Sequence, residues 1–286
     1  MNPIYGGVAI AGWFLLLFFV ERKIPLRERR EPSPRRLVVN LVVSTLAIGV
    51  AVAVVRPAAN MAMQTVEGSR FGLLQWFALP PVFALVVGIL LLDVSFYLWH
   101  LANHRLSFLW RFHVVHHIDP DLDVSTAFRF HFGEVALSAG FRVMQILLIG
   151  ASPLTIAIYE LAFQANTLFQ HGNVRLPIRV ERFLNYVFVT PRMHGIHHSI
   201  VRREDMSNFS VVFAWWDRVL GTLRLNVPQQ SIVIGIPAYD AGRDNATAAL
   251  LLLPFRAQPD AWRRPDGTHP TRDDRLVGAP LTFLAA

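Results

Sequence analysis

Ten of the eleven histidines lie between His100 and His198, and eight of these ten fall in three compact motifs. Spacings of three and four residues place side chains on one face of a helix, so each motif can aim its imidazoles at one point. Imidazole is the commonest metal ligand among side chains, and eight rings exceed what one ion takes. The sequence therefore predicts two metal ions in one histidine-rich site. The eight candidate catalytic ligands are His100, His104, His113, His116, His117, His194, His197 and His198.

The composition places this site at a membrane. Hydrophobic residues make up 53% of the chain, the mean hydropathy is +0.39, and 16% of residues are charged, against about 25% in soluble domains. The chain has no cysteine, which excludes disulfides, thiolate ligands and iron–sulfur clusters. A net charge of +7 would suggest nucleic acid for a soluble protein. Because the basic residues lie beside apolar segments, we expect an anionic lipid surface and no nucleic-acid partner.

Four apolar segments, at residues 4–20, 37–55, 81–99 and 135–170, indicate the fold class. A dense charged stretch follows the first one, so we interpret it as a retained anchor. The last is interrupted by Gly150-Ala-Ser-Pro153, where proline ends a helix, and it predicts a hairpin with arms of about seventeen residues. We expect an all-α integral membrane protein. It has about four to five transmembrane or hairpin helices and a cytoplasmic, helical, His-rich cap.

Charge asymmetry predicts the orientation of these segments. Seven basic residues lie between the first two segments, whereas the loop predicted at 56–80 holds two. By the positive-inside rule the basic loop is cytoplasmic and the amino terminus is outside. The third segment then delivers the first motif to the cytoplasmic face, and the hairpin returns His131 and His171 to that face. This topology collects all ten clustered histidines in one compartment.

We divide the chain into three parts. Residues 1–99 hold transmembrane helices 1–3, and residues 100–245 form the catalytic region, with the membrane hairpin at 135–170 and the cap. Residues 246–286 hold a short interfacial segment and a loosely ordered tail rich in Pro, Arg and Asp, to which we assign no function. His269, in this tail, is not expected in the site.

Specific segments resemble the fatty acid hydroxylase/sterol desaturase superfamily of integral-membrane di-iron enzymes. The likeness is carried by Trp110-Arg-Phe-His-Val-Val-His-His-Ile-Asp-Pro-Asp-Leu-Asp-Val-Ser-Thr-Ala-Phe-Arg-Phe-His131 and Val189-Thr-Pro-Arg-Met-His-Gly-Ile-His-His198, with Phe169–Asn173 and Trp216–Thr222 as weaker matches. It runs from about residue 85 to 225. The eight residues between His104 and His113 favour the hydroxylase branch over the acyl-CoA desaturases.

The resemblance implies a membrane oxygenase that hydroxylates or desaturates a lipid with O₂ and external electrons. Two iron ions are the implied cofactor, because iron binds O₂ and changes oxidation state while zinc does not. His131 and His171 lie in family-like segments at the hairpin ends, and we expect them as further metal ligands. The sequence shows no nucleotide-binding or haem module, so a separate ferredoxin or cytochrome is the expected donor. No residue selects among sterols, acyl chains, carotenoids and sphingoid lipids.

Acidic residues near the motifs are candidate partners for the imidazole N–H groups. Asp119, Asp121 and Asp123 follow the second motif directly and are the favoured candidates, with Asp217 as a weaker one. Asp93 lies two helical turns before the first motif, and either interhelical packing, for example to Asn40, or a role in the site is possible for it.

A non-redox alternative stays open. A zinc-dependent membrane hydrolase or a metal carrier would also use histidine ligands. A carrier should place its ligands along a path through the spans, whereas these motifs lie past one end of the helices. A hydrolase needs a carboxylate base beside an open metal, and no Glu occurs inside a motif.

Overall fold

A computed structural model describes residues 3–31, 34–239 and 242–272. Within these ranges the regular elements are helices, and pairing between extended segments is confined to isolated bridges. Four helical stretches among the described residues are long and apolar enough to cross a membrane. These are Tyr5–Lys23, Pro34–Trp76, Pro81–Arg105 and Phe132–Ile149. The predicted fold class, an all-α membrane protein, is confirmed.

The second stretch is longer than the sequence predicts. Helix α1 spans Pro3–Lys23, and α2, Pro34–Val50, continues through a π-helical turn at Ala51–Val55 into α3, Arg56–Ser69. The predicted loop from residue 56 is therefore wrong over most of its length. Pro57, near the start of α3, lacks an amide donor and would clash with the preceding turn. The wider π-helical turn accommodates this proline without ending the helix.

The helical hairpin is confirmed. Helix α4 spans Leu73–Trp76, α7 spans Phe132–Ile149 and α8 spans Pro153–His171. Gly150 ends α7 in the left-handed conformation, with φ of 68°, and a Cβ on Gly72 would lie 2.5 Å from its Cα. Glycine at both positions thus lets the hairpin turn contact the chain before α4.

The long helix α5, Pro81–Arg105, packs against both arms of this hairpin. His131 precedes α7 and His171 ends α8, so both lie at the same end of the hairpin. The remaining helices form the cap beyond this end. They are α6 (Ser107–His117), α9 (Ile178–Asn185), α10 (Pro191–His197), α11 (Arg202–Asp205), α12 (Trp215–Val219) and α13 (Thr247–Leu252).

The first part of the predicted tail is packed. Buried Val39 of α2 and Val114 of α6 share one hydrophobic cluster with Leu250 of α13 and with Ala261. Trp262 stacks on Trp110 in the same cluster. Residues 256–272 are therefore ordered by contacts with α6, which corrects the expectation of a loose tail there. The rest of that tail, 273–286, lies outside the described residues.

Two of the seven basic residues between the first two segments, Arg27 and Arg36, point inward. Arg36 is buried and donates to Asp119 at 2.6 Å and to Asp123 at 2.7 Å. Arg27 is buried as well and donates to Gln229 Oε1 at 2.6 Å. These side chains fasten the membrane helices to the cap, so the predicted lipid-facing patch is wrong for them.

Candidate metal centre

The first two histidine motifs lie on two consecutive helices. His100 and His104 occupy the last turns of α5, and the second motif ends α6. Leu106 between them is extended, with φ −94° and ψ 113°, and this single residue turns the chain from one helix into the next. The two helices pack against each other, so both motifs face one interior space.

The third motif lies on α10, which begins at Pro191. Proline is favoured in the first turn because its missing N–H is unpaired there in any helix. Gly195 separates His194 from Ile196, and a Cβ at this position would lie 2.2 Å from Nη1 of Arg27. The glycine is therefore required by the buried guanidinium that packs on the motif. Burial lowers the pKa of Arg27 to about 10.

Eight histidines converge into two groups of four. In each group, one potential ligand atom per residue lies within 4.8 Å of the others. The first group is His100, His104, His117 and His197, and the second is His116, His171, His194 and His198. Two groups of histidines are thus present where the sequence predicts two metal ions. Each group contains histidines from more than one motif.

In the first group three of the four Nδ1 atoms are hydrogen-bonded. Nδ1 of His100 donates to the Phe209 carbonyl at 2.9 Å, and Nδ1 of His197 donates to the Ser207 carbonyl at 2.7 Å. Nδ1 of His104 hydrogen-bonds to Asp205 Oδ2 at 3.0 Å, whereas Nδ1 of His117 lies 3.0 Å from Asp205 Oδ1 without forming a hydrogen bond.

A proton on Nδ1 leaves Nε2 with its lone pair free for a metal. Nε2 of His104, His117 and His197 is buried without a hydrogen-bond partner. This pattern fits a bound cation, because it would satisfy buried nitrogens that the protein itself leaves unpaired.

In the second group the Nε2 atoms face one another. The Nε2–Nε2 distances are 3.1 Å from His116 to His171, 3.0 Å from His171 to His194 and 3.1 Å from His194 to His198. Nδ1 of His171 donates to the Thr167 carbonyl at 2.7 Å, so its Nε2 carries a lone pair. Nδ1 of the other three is buried without a partner. Converging lone pairs of this kind fit a metal ion.

His113 lies between the two groups. Its Nδ1 is 2.8 Å from Glu134 Oε1, and its Nε2 is buried without a partner. The ring centroid is 4.9 Å from that of His117 and 5.4 Å from that of His116. His113 is therefore available as an additional ligand to either group.

Burial keeps the cap histidines neutral. It lowers the pKa of His117, His194 and His198 well below the usual value, and neighbouring histidines lower it further. Burial lowers the pKa of His197 to about 3. Neutral imidazole is the form that binds metals, so these rings are ready to bind an ion at neutral pH.

The structure does not bring His131 into either group. Its Nδ1 accepts the Gly133 N–H at 2.9 Å and so caps α7, and its Nε2 lies 3.1 Å from the Leu251 carbonyl. Both ring nitrogens are thus used by the backbone. His269 is exposed, and its Nδ1 lies 3.0 Å from the Trp262 carbonyl. His171 lies inside the second group, as the hairpin predicts.

The acidic residues after the second motif do not orient the imidazoles. Asp119 and Asp123 accept from Arg36, and Asp121 accepts the backbone N–H groups of residues 30 and 31. Burial raises the pKa of Asp119, but Arg36 outweighs burial and holds it below its usual value. The expectation for these three residues is therefore corrected, because Arg36 pairs with Asp119 and Asp123 and backbone N–H groups hold Asp121.

Asp205 and Glu134 perform that role instead. Both are buried and face imidazole nitrogens, and sequence reasoning missed them. Asp205 lies far along the chain from the His104 and His117 that it contacts, so local spacing carries no signal for the pairing. Glu134 lies three residues beyond His131, where a family-like segment ends, and this proximity was the one available hint.

Asp217 and Asp93 support the site indirectly. Asp217 accepts the backbone N–H of Phe209 at 2.8 Å, and the Phe209 carbonyl holds His100. Burial raises the pKa of Asp217. Asp93 accepts from Tyr159 Oη at 2.9 Å and from Trp216 Nε1 at 2.8 Å. Asp93 therefore packs helices and cap together, and the suggested contact with Asn40 is not formed.

Residues 85–222, just under half of the chain, match the fatty acid hydroxylase family. Over this segment the chain is similar to that family. The match begins within α5 and ends just beyond α12, so it contains both histidine groups and the Asp205 and Asp217 carboxylates that support them.

Three curated relatives each match about half of the chain. An ornithine lipid hydroxylase, OlsE, of Rhizobium tropici is 33% identical over 57% of this chain and 47% of its own length. Cholesterol 25-hydroxylase of Homo sapiens is 29% identical over 48% of this chain and 49% of its own length. Alkylglycerol monooxygenase of Homo sapiens is 27% identical over 50% of this chain and 31% of its own length. The chain spans about half the length of the first two relatives. No solved structure matches it significantly.

Proposed function

We propose that this protein is a membrane di-iron oxygenase that hydroxylates, or desaturates, a lipid. The observation that carries the proposal is the convergence of eight histidines, seven buried and one partly buried, into two groups of four, with ligand atoms within 4.8 Å in each group. Each group would hold one ion, and His113 would add a ninth nitrogen. His131 is left out of the proposed ligand set because the backbone occupies both of its ring nitrogens.

The donor set favours a borderline metal with redox chemistry. Imidazole suits iron as well as zinc. Bound iron would supply O₂ binding and the change of oxidation state that oxidation of an unactivated C–H bond needs. The protein's part is to hold the imidazoles neutral and oriented, which burial and the Nδ1 acceptors do. Burial of the rings also excludes bulk water from the reacting centre.

The carboxylates near the site weigh against a zinc hydrolase. Such an enzyme needs a carboxylate base beside a metal-bound water. Among the described residues, the carboxylates at the motif histidines are Asp205, beside His104 and His117, and Glu134, beside His113, and one oxygen of each is hydrogen-bonded to an imidazole Nδ1. A metal carrier is disfavoured because both groups lie at the end of α5 and not along its length.

The relatives' names support a lipid substrate. They name an ornithine lipid, cholesterol and alkylglycerol, which share apolar hydrocarbon and differ in their polar parts. The four apolar helical stretches place this chain in the membrane that holds such compounds. We therefore propose that the substrate comes from the bilayer and that a separate ferredoxin or cytochrome supplies the electrons.

The proposed site faces the cytoplasm. Two observations support this orientation. The loop after α1 is basic, and the histidines lie at the end that α5, α7 and α8 share. Because the chain has no cysteine, Glu67→Cys near the end of α3 and Arg243→Cys in the cap would each create a unique thiol. A membrane-impermeant maleimide should label residue 67 in intact cells, and residue 243 only after lysis. The reverse pattern would invert the topology.

Lipid analysis with and without the protein tests the function. Expression should produce lipids that gain one oxygen or lose two hydrogens, and His197→Ala should abolish the change while the protein stays in the membrane. His269→Gln is the matched control, because this exposed histidine lies outside both groups. Two metal ions per chain are expected by elemental analysis. Zinc-supported hydrolysis with no oxidised lipid would contradict the proposal.

A further inference from the structure

Helix α9 is packed with its polar side inward. Glu181 is buried and accepts from Arg192 Nε at 2.7 Å, and Asn185 is buried one turn later, 3.1 Å from Met193 Sδ. The exposed side carries Val180 and Phe183, and Phe183 is 74% exposed. A helix on a water-facing surface normally turns its apolar side toward the core. Helix α9 does the opposite, so its outer side calls for an apolar partner.

Helix α12 shows the same inversion. Asp217 is buried, whereas Trp215, Val219 and Leu220 are exposed, Val219 at 75%. Nε1 of Trp215 donates to the Tyr186 carbonyl at 2.7 Å, which joins α12 to the end of α9. The two helices thus present one apolar surface. We call it the apolar lip and define it by Val180, Phe183, Tyr186, Trp215, Val219 and Leu220.

The attachment of the lip fixes its depth relative to the spanning helices. The backbone N–H of Phe213 and Nε1 of Trp216 both donate to Asp93 Oδ2. Asp93 lies twelve residues before the end of α5 at Arg105, which is about 18 Å along a helix. The chain beside the lip therefore reaches well up the flank of a candidate membrane span. Phe213 also stacks on Trp215 of the lip, with ring centroids 4.6 Å apart.

We infer that the apolar lip inserts into the headgroup–acyl boundary of the leaflet that faces the histidine groups. The neighbouring Phe213 and Trp216 join the lip to Asp93 of α5, and basic side chains interleave with the lip at Arg179 and Arg182 on the exposed side of α9. Apolar residues with interleaved basic ones are typical of helices that lie in an anionic membrane interface. The inference rests on the membrane location in the proposed function and adds a second, monotopic contact to it.

Nitroxide labels on single cysteines test this contact. Phe183→Cys and Val219→Cys replace highly exposed lip residues, so labels there leave the core intact. Val52→Cys, on the exposed side of the π-helical turn, is the lipid control, and Arg243→Cys is the water control. The labelled full-length protein is placed in nanodiscs of phosphatidylcholine and phosphatidylglycerol. Collision of the label with O₂, which enters lipid, is compared with collision with a water-soluble nickel chelate.

Labels at residues 183 and 219 should collide more with O₂ than with the nickel chelate, as the label at residue 52 should. The label at residue 243 should show the opposite preference. Nickel access at 183 and 219 equal to that at 243 would place the lip in water and overturn the inference. Protection from both reagents would indicate a protein partner, such as a second copy, and would also overturn it. Nickel access at 52 would instead refute the membrane location itself, so the two failures are distinguishable.

Discussion

Replacing Asp205 by Asn should weaken one metal site and spare the fold. Its two carboxylate oxygens lie 3.0 Å from Nδ1 of His104 and 3.0 Å from Nδ1 of His117, and its side chain is completely buried. An amide has one oxygen and one NH₂ group, so Asn can accept from one imidazole while its NH₂ faces the other. One of the two Nδ1 atoms then faces an N–H group, which disfavours the tautomer that leaves Nε2 of that ring free for the ion.

Loss of such a partner typically costs 10- to 100-fold in metal affinity, which is about 1.4–2.7 kcal/mol. The metal-free protein should respond differently. Burial raises the pKa of Asp205 well above its usual value, so the carboxylate is costly to bury without a cation nearby. Asp205→Asn should therefore leave the unfolding free energy of the metal-free protein unchanged or higher.

Anaerobic titration of the chelator-stripped protein with ferrous iron would measure both affinities, and thermal unfolding would measure stability. Glu181→Gln is the matched control, because Glu181 is equally buried but pairs with Arg192 and contacts no histidine. It should lower stability and leave both metal affinities unchanged. Wild-type affinity at both sites in Asp205→Asn would refute the role assigned to the carboxylate.

Three further variants test separate contacts. His131→Ala should retain two ions by elemental analysis and lose about 1 kcal/mol of unfolding free energy, the usual value of a helix cap. Gly195→Ala places a Cβ 2.2 Å from Arg27 Nη1 and should cost about 1–3 kcal/mol of unfolding free energy. In a double-mutant cycle with Arg27→Ala, the combined loss should be smaller than the sum of the two single losses. Arg36→Met leaves buried Asp119 with only the more distant Arg129, 3.6 Å away, as its cation and should cost up to about 3–5 kcal/mol at pH 7. Because protonation removes that charge, the Arg36→Met melting temperature should rise as the pH falls toward 5. The melting temperature of the wild type should not rise over this pH range, because Arg36 holds the pKa of Asp119 below its usual value.

Local spacing was enough to predict the histidine motifs and the hairpin. Three- and four-residue intervals fix which side chains share a helical face, and Gly150 with Pro153 marks a helix end that tertiary packing does not override. The continuation of α2 past Arg56 could not be read in this way. It depends on a π-helical turn that accommodates Pro57. In a sequence, a single proline is as compatible with the end of a helix as with a π-helical turn inside one.

Long-range pairing was the main limit. Asp119 lies beside the second motif in sequence, but α6 ends at His117 and the following chain turns toward Arg36. The charge of Arg36 decides where that carboxylate lies, and Arg36 is far away in the sequence. His131 shows the same limit for a lone histidine, since capping α7 and binding a metal use the same ring nitrogens.

One short segment faces the whole first histidine group and hydrogen-bonds to three of its members. Asp205 faces His104 and His117, and the carbonyls of Ser207 and Phe209 accept from the other two members.

The second group has one such acceptor, the Thr167 carbonyl at His171, while Nδ1 of its other members is buried without a partner. An imidazole that is already held in one tautomer and orientation loses less conformational freedom when it binds an ion than an imidazole that becomes fixed only on binding. The first group should therefore fill before the second, and a ferrous titration should show two affinities. Because Asp205→Asn acts on the first group alone, it should bring the two affinities together. If the substitution instead widens the gap between the two affinities, the tighter site is the second group, and the order inferred from the Nδ1 acceptors is reversed.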